Sequence, residues 1–301
     1  MIYYSELLMN KKIKQNIKKI KAVRGPLRYP GGKTRVVSKI FPMVPNFKEY
    51  REPMIGGGSV FLTLREKYPD RNFWINDLYN DLFSFWNAFK ETPEEIVKEA
   101  IKIKQLDKSG KEIFRELSVI NYELTNFERG LRFYVLNRIS FSGLVHTGGY
   151  SEESFQKRFT EKSIQRITQT CDLLKGVRIT NFSYETLLKE PGDEVFIYLD
   201  PPYYGNTESK LYGFKGILHT TFDHNKLREE LKRSDFSWLL TYDDSDFVRD
   251  LYSFANIYKG QVSYGMNNVG KLKKATHGNE LFICNYDLKD KTLKNFGLNL
   301  I

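Results

Sequence analysis

After Glu194 the chain runs Val195-Phe196-Ile197-Tyr198-Leu199 without a polar residue and then stops on Asp200-Pro201-Pro202-Tyr203. A strand with one wet face alternates polar and apolar residues. An unbroken apolar run bounded this sharply predicts a strand over 194–199 buried on both faces, inside a mostly parallel sheet covered by helices. The two prolines fix the backbone and remove two N–H donors, so the strand must end there in a rigid loop that presents carbonyls. In open α/β sheets, ligands bind beyond the carboxyl ends of strands. A carboxylate beside a carbonyl can accept both hydrogens of an exocyclic amine, and the following tyrosine can stack on the ring that bears it. An ordinary strand exit is the other reading of the same residues.

The rest of the chain supplies such a sheet. Tyr50 to Ile55 reads as a strand entering Gly56-Gly57-Gly58, Ser59 to Lys67 as a helix, and Asn72 to Asp77 as a second strand. Glycines at a helix N-terminus let backbone approach a ligand closely, and Asp77, about twenty residues on, stands where an acid can hold ribose hydroxyls. Gly-Lys-Ser/Thr does not follow the triplet, which disfavours a phosphate-binding loop and leaves a nucleoside without a triphosphate. Upstream, Arg28-Tyr29-Pro30-Gly31-Gly32-Lys33 is a glycine turn before a helical stretch from Arg35 to Phe41, which Pro42 and Pro45 break. Its lysine can meet a carboxylate or a phosphate, or the turn is plain surface.

Residues 91–165 have a different texture: charged and helical over Thr92–Leu106 and Glu112–Phe127, then glycine-rich at Gly143, Gly148 and Gly149. That shift marks an insert. Strands return at Val177–Phe182, Ser237–Thr241, Ile257–Tyr264 and Leu281–Tyr286, with a helix at 223–233.

The two cysteines, Cys171 and Cys284, belong to no Cys/His cluster, so neither a zinc site nor a disulfide framework is expected, and a reducing cytoplasm fits. Neither a signal peptide nor a membrane span is legible. A net charge of +10 suits a polyanionic partner, though a lysine-rich host proteome gives the same balance. Residues 1–24 carry Lys11, Lys12, Lys14, Lys18, Lys19 and Lys21, read as a basic arm that touches DNA loosely or as a solvated tail.

At its three main motifs, and in their order, the chain resembles the Dam-type (D12 class, alpha group) DNA adenine N6-methyltransferases over about residues 25 to 287. Smaller matches accompany them: Asn76-Asp77-Leu78 with Asn80-Asp81-Leu82, Asn137-Arg138 through Phe141 and Leu144, Asn181-Phe182-Ser183-Tyr184, and His277-Gly278-Asn279-Glu280-Leu281. The resemblance implies a Rossmann-like class I methyltransferase sheet, α/β, with an inserted, mainly helical target-recognition domain. The division would be a basic arm at 1–24, a catalytic domain at 25–90 and 166–301 that binds S-adenosyl-L-methionine, and a DNA-reading insert at 91–165.

By the same resemblance Tyr29, Gly31 and Lys33 would line the methionine end, with Lys33 near its carboxylate. Glu52, Gly56 and Gly58 would form the floor, Asp77 would take the ribose, Tyr184 would pack on the adenine, and Asp200 would border the cofactor. Asp200, Pro201, Pro202 and Tyr203 would act on an adenine flipped out of duplex DNA. DNA contacts would come from Arg28, Arg138, Phe141 as a wedge, His146, Tyr212, Lys271, Lys273 and Lys274. His146 stands where GATC-reading relatives carry arginine, so the resemblance does not extend to that target. No metal is called for, and a cognate restriction endonuclease is a possible partner. The rival readings are an N4-cytosine methyltransferase, an RNA or protein methyltransferase, and an inactive DNA-binding relative.

Overall fold

The computed structural model describes residues 20–29, 31–119, 123–204, 221–263, 277–288 and 293–301. Among these are eight strands: β1 (Glu49–Glu52), β2 (Asn72–Asn76), β3 (Arg178–Thr180), β4 (Val195–Leu199), β5 (Ser237–Asp243), β6 (Asn256–Ser263), β7 (His277–Cys284) and β8 (Leu298–Leu300). They form one sheet in the order β3-β2-β1-β4-β5-β7-β6-β8. Strands β1 to β5 pair parallel, β7 runs antiparallel between β5 and β6, and β8 pairs antiparallel with β6. All five residues of β4 are buried, as its apolar run requires. Chain order reverses between β1 and β4, and at such a switch point the loops diverge and leave a crevice. The Rossmann-like sheet expected from the sequence is the sheet the chain forms.

The helices among the described residues are α1 (Val37–Ile40), α2 (Ser59–Lys67), α3 (Asn80–Glu91), α4 (Pro93–Lys104), α5 (Gly110–Ser118), α6 (Asn126–Ile139), α7 (Glu152–Arg158), α8 (Glu161–Ile164), α9 (Arg166–Thr170), α10 (Tyr184–Lys189), α11 (His224–Arg233) and α12 (Asp246–Leu251). One sheet face joins a cluster that includes Tyr50, Phe61, Phe73, Phe85, Trp86 and Phe133. The other packs Leu199, Trp238, Leu240 and Tyr242 against Leu227 and Leu231 of α11 and Val248 of α12. Ile96, Ala100, Ile113 and Phe159, all within 91–165, belong to the first cluster, so the helical middle is packed into the same core as the sheet.

Several boundaries differ from expectation. Glu112–Phe127 is two helices: α5 begins at a capping box of Ser109 with Glu112, ends at Ser118, and Thr125 with Glu128 forms a second capping box that opens α6. The stretch from Arg35 to Phe41 is α1 between two short 3₁₀ turns. Strand β7 begins four residues earlier than expected, at His277, and α3 and β8 were not foreseen.

Candidate active site

Three strand exits meet at the switch point, and one buried side chain ties them together. Asn76 at the end of β2 donates to the carbonyls of Pro53 and Phe182, each at 2.9 Å. Its own oxygen accepts from Thr180 Oγ1 at 2.7 Å and Phe182 N–H at 2.8 Å. The loops after β1, β2 and β3 are thus held in one register. After β1 the chain turns through Gly58, whose φ of +68° caps α2. A Cβ there would lie 2.6 Å from the Trp86 ring, so the position requires glycine both for its backbone and for space.

Asp77 follows Asn76. Its carboxylate accepts the backbone N–H of Gly56 at 3.2 Å and of Tyr79 at 3.0 Å. Burial pushes its pKa up to about 6, with those two amides opposing the rise. Glu52 is buried too, and burial carries it well above the carboxylate range although Tyr50 donates to it at 2.6 Å.

A cavity of about 440 Å³ opens here, within the range of sites for cofactor-sized ligands. Its lining includes Tyr29, Gly31, Lys33, Glu52, Gly56, Gly58, Asp77, Tyr184 and Asp200, together with Pro202. The nine residues expected to hold a cofactor therefore share one cavity. Phe182 and Phe222 also line it and were not anticipated; Phe222 packs on Tyr184 at 5.9 Å between ring centroids.

The Asp200 loop closes one wall. Lys33 Nζ lies 2.9 Å from Asp200 Oδ1 and 3.7 Å from Glu280 Oε1, and it donates to the Tyr203 phenol at 2.7 Å and to Gly31 O at 3.2 Å. Tyr203 in turn donates to Glu280 at 3.0 Å and stacks on Tyr242. Thr241 of β5 donates to Asp200 Oδ1 at 2.9 Å. Burial alone would lower the Lys33 ammonium, but the Asp200 and Glu280 carboxylates hold it above the usual lysine range. Burial raises Asp200, with Lys33 opposing. Lys33 was expected at a ligand carboxylate; its ammonium also contacts Asp200 and Tyr203 of the loop after β4. Thr241 sits on an anticipated strand and Glu280 one residue before another; their roles were not anticipated.

The residues expected to touch DNA divide. Phe141 is 61% exposed, at the head of a turn, Phe141–Gly143. Arg28 lines a second cavity of about 360 Å³, next to Arg24, Arg138, Lys157, Arg158 and Arg166, and donates to Ser154 at 2.9 Å. Arg138 lines the same cavity but offers little surface. It is 3% exposed, and its guanidinium is spent on the carbonyls of Arg158 and Pro26. Burial and the neighbouring arginines lower it to about 10. His146 is half-buried, its ring against Tyr79 and 3.8 Å from Asp81, which also pairs with Arg129 and Arg132 at 3.3 Å each. Tyr212, Lys271, Lys273, Lys274 and most of the basic arm lie outside the described residues. Among the described residues no cluster of metal-ligating side chains occurs, and no helix is long and apolar enough to cross a membrane.

The sequence matches known proteins along most of its length. It is 27% identical to the Type II methyltransferase M.MjaIII of Methanocaldococcus jannaschii, over 86% of this chain and 98% of that one. It is 30% identical to a DNA adenine methylase of Vibrio cholerae, over 84% and 94%. It is 25% identical to the Type II methyltransferase M1.LlaDCHI of Lactococcus lactis subsp. cremoris, over 86% and 94%. The family pattern of the D12 class N6 adenine-specific DNA methyltransferases covers residues 29–266. That match favours adenine N6 over cytosine N4 as the site of methylation. The sheet, the cavity at its switch point and this match along the chain agree: the protein belongs to the D12 class N6 adenine-specific DNA methyltransferases and is an adenine-specific DNA methyltransferase.

Proposed function

We propose that the 440 Å³ cavity holds S-adenosyl-L-methionine and that Asp200 presents a flipped adenine of duplex DNA to it. What carries this reading is that the nine cofactor residues and the Asp200 loop line one cavity. The cavity suits a nucleoside cofactor on chemical grounds. Asp77 offers a carboxylate to ribose hydroxyls. Aromatic rings at Phe182 and Tyr184 suit an adenine, and the Tyr184 hydroxyl is a buried polar atom without a hydrogen-bond partner among the described residues. When bound, this cofactor would supply an electrophilic methyl to the amine lone pair, its sulfur retaining the pair of the broken bond, and the nitrogen, cationic after transfer, would shed one proton to solvent.

The chain's own residues then orient and exclude. Asp200 and the Pro201 carbonyl accept the two amine hydrogens and aim the lone pair, Pro202 keeps the loop rigid, and Tyr203 stacks on the base. Catalysis on this scheme is positioning and charge placement. Phe141 fills the gap left by the base, and the basic cavity beside Arg28 takes backbone phosphates, which position without specifying sequence. The helical segment 91–165 serves as the target-recognition region. A cognate restriction endonuclease fits the Type II methyltransferases among the relatives, and an orphan methylation role fits the DNA adenine methylases.

Asp200→Ala tests the site. Methyl transfer should fall by roughly 10²–10³-fold or more, while calorimetric cofactor affinity stays close to wild type. Nucleoside analysis of treated DNA reads the product; N6-methyladenine formed at an undiminished rate would remove Asp200 from the mechanism.

A further inference from the structure

Glu280 lies in the middle of β7, paired between Asp243 of β5 and Gly260 of β6, and is 1% exposed. A buried carboxylate is costly unless it is matched by charge and hydrogen bonds. Here the match is the catalytic site itself. Glu280 Oε1 receives the Tyr203 phenol at 3.0 Å and faces the Lys33 ammonium at 3.7 Å, while that ammonium sits 2.9 Å from Asp200. One cation is thus shared by two carboxylates.

That arrangement opposes the chemistry if it is static. An ammonium on Asp200 neutralises the charge that should polarise the adenine amine, and a neutral amine is a weaker partner for a carboxylate than an ammonium is. Methyl transfer also places positive charge on the nitrogen, which a net negative site favours and a neutral one does not. Asp200, Lys33 and Glu280 together carry one net negative charge; Asp200 and Lys33 alone carry none.

The geometry points to Glu280 as a positioning residue for the transfer step: it takes up the Lys33 ammonium when the adenine amine engages Asp200, and through the Tyr203 phenol it keeps the base-stacking ring in place during the exchange. Lys33 needs to shift only within the triangle it already occupies, since it also donates to the phenol that bridges to Glu280. The inference rests on Asp200 as the amine acceptor, and the Asp200→Ala variant tests that premise separately.

The experiment measures single-turnover methylation of duplex DNA at saturating cofactor for Glu280→Gln, Lys33→Met and the double variant, with cofactor affinity by calorimetry. Glu280→Gln is expected to slow transfer 10- to 100-fold with cofactor affinity within threefold of wild type. In the Lys33→Met background the same change should cost less than threefold, because no ammonium remains to be relocated. A rate for Glu280→Gln within threefold of wild type overturns the inference, as does an equal loss in both backgrounds. If Glu280→Gln alone is too unstable to assay, the double variant, which buries neither charge, is compared with Lys33→Met. Equal rates support the exchange, and a further tenfold drop overturns it. Loss of activity in Asp200→Ala with an unaffected Glu280→Gln would leave the active site standing and remove only this role.

Discussion

Asp77 ends β2 with two backbone amides on its carboxylate, and burial still lifts its pKa to about 6. Because the folded value lies above the ordinary one, the neutral form is favoured by the fold. That contribution to stability is complete at low pH and is lost as pH rises through about 6. Ligand binding has the opposite sign. Ribose hydroxyls need the ionised carboxylate as acceptor, so protonation removes affinity as pH falls. On the proposed role, affinity for S-adenosyl-L-methionine should be about tenfold weaker at pH 5 than at pH 7, the loss expected for one pH unit below such a group. Asp77→Asn should bind weakly at both pH values, with a flat profile between them. Calorimetric titration of both proteins across this range decides it: identical acid limbs would free Asp77 of the assignment.

The last turn of α6 shows how an element makes a site without touching the ligand. Asn137 accepts the Arg28 N–H at 2.9 Å and donates to the carbonyls of Arg28 at 2.7 Å and Gly143 at 2.9 Å, so the segment before the glycine turn is fastened to the turn that carries Phe141. Gly143, at φ +79°, lies so close that a Cβ would collide with the Arg28 carbonyl oxygen. Asn137→Ala removes three hydrogen bonds, one buried and two part-buried, and should lower stability by roughly 2–3 kcal/mol, at about 1 kcal/mol per bond. It should also weaken DNA binding while leaving cofactor affinity near wild type. Phe141→Ala, at an exposed position, should leave the melting temperature within a degree or two and reduce methylation. Parallel melts and DNA titrations separate framework from contact; a marked melting loss in Phe141→Ala would make that ring core. This element also marks where sequence reading stopped. The β4 run and the Asp200 loop were legible because periodicity and proline act locally. Arg138 was not, because its burial depends on the Pro26 carbonyl 112 positions away. Thr241 lay on an anticipated strand and Glu280 beside one, yet which face each presents to Lys33 or Asp200 follows from register with neighbouring strands. The two capping boxes around α5 and α6 were readable, since both are Ser/Thr-x-x-Glu patterns.

Across the whole molecule, the net charge of +10 alone could not separate a polyanion-binding protein from a basic proteome. The distribution of charge is more informative. Arg24, Arg28, Arg138, Lys157, Arg158 and Arg166 line one cavity, and it adjoins the 440 Å³ cavity through Tyr29, Gly32, Gly57 and Ser59, which border both. Burial is the main cause that lowers Arg28 and Arg138, and the arginines add repulsion: Arg158 lowers Arg28, and Arg28, Arg166 and Arg158 lower Arg138, with Glu153 the acid that opposes this at Arg28. Such a cluster is held together by core packing and carbonyl bonds, and an anion relieves it. A duplex whose phosphates occupy this cavity would bring its bases toward the glycine loop and Asp200, which links affinity to the position of the target base. Neutralising Arg24, Arg158 and Arg166 together by glutamine should therefore flatten the plot of log affinity against log salt by about 2 to 3 units, near 0.9 for each phosphate no longer neutralised. Cofactor affinity should not change, because none of the three lines the other cavity. Titrations of a duplex oligonucleotide from low to moderate salt measure the slope. A variant whose line runs parallel to wild type would move the DNA path off this face of the protein.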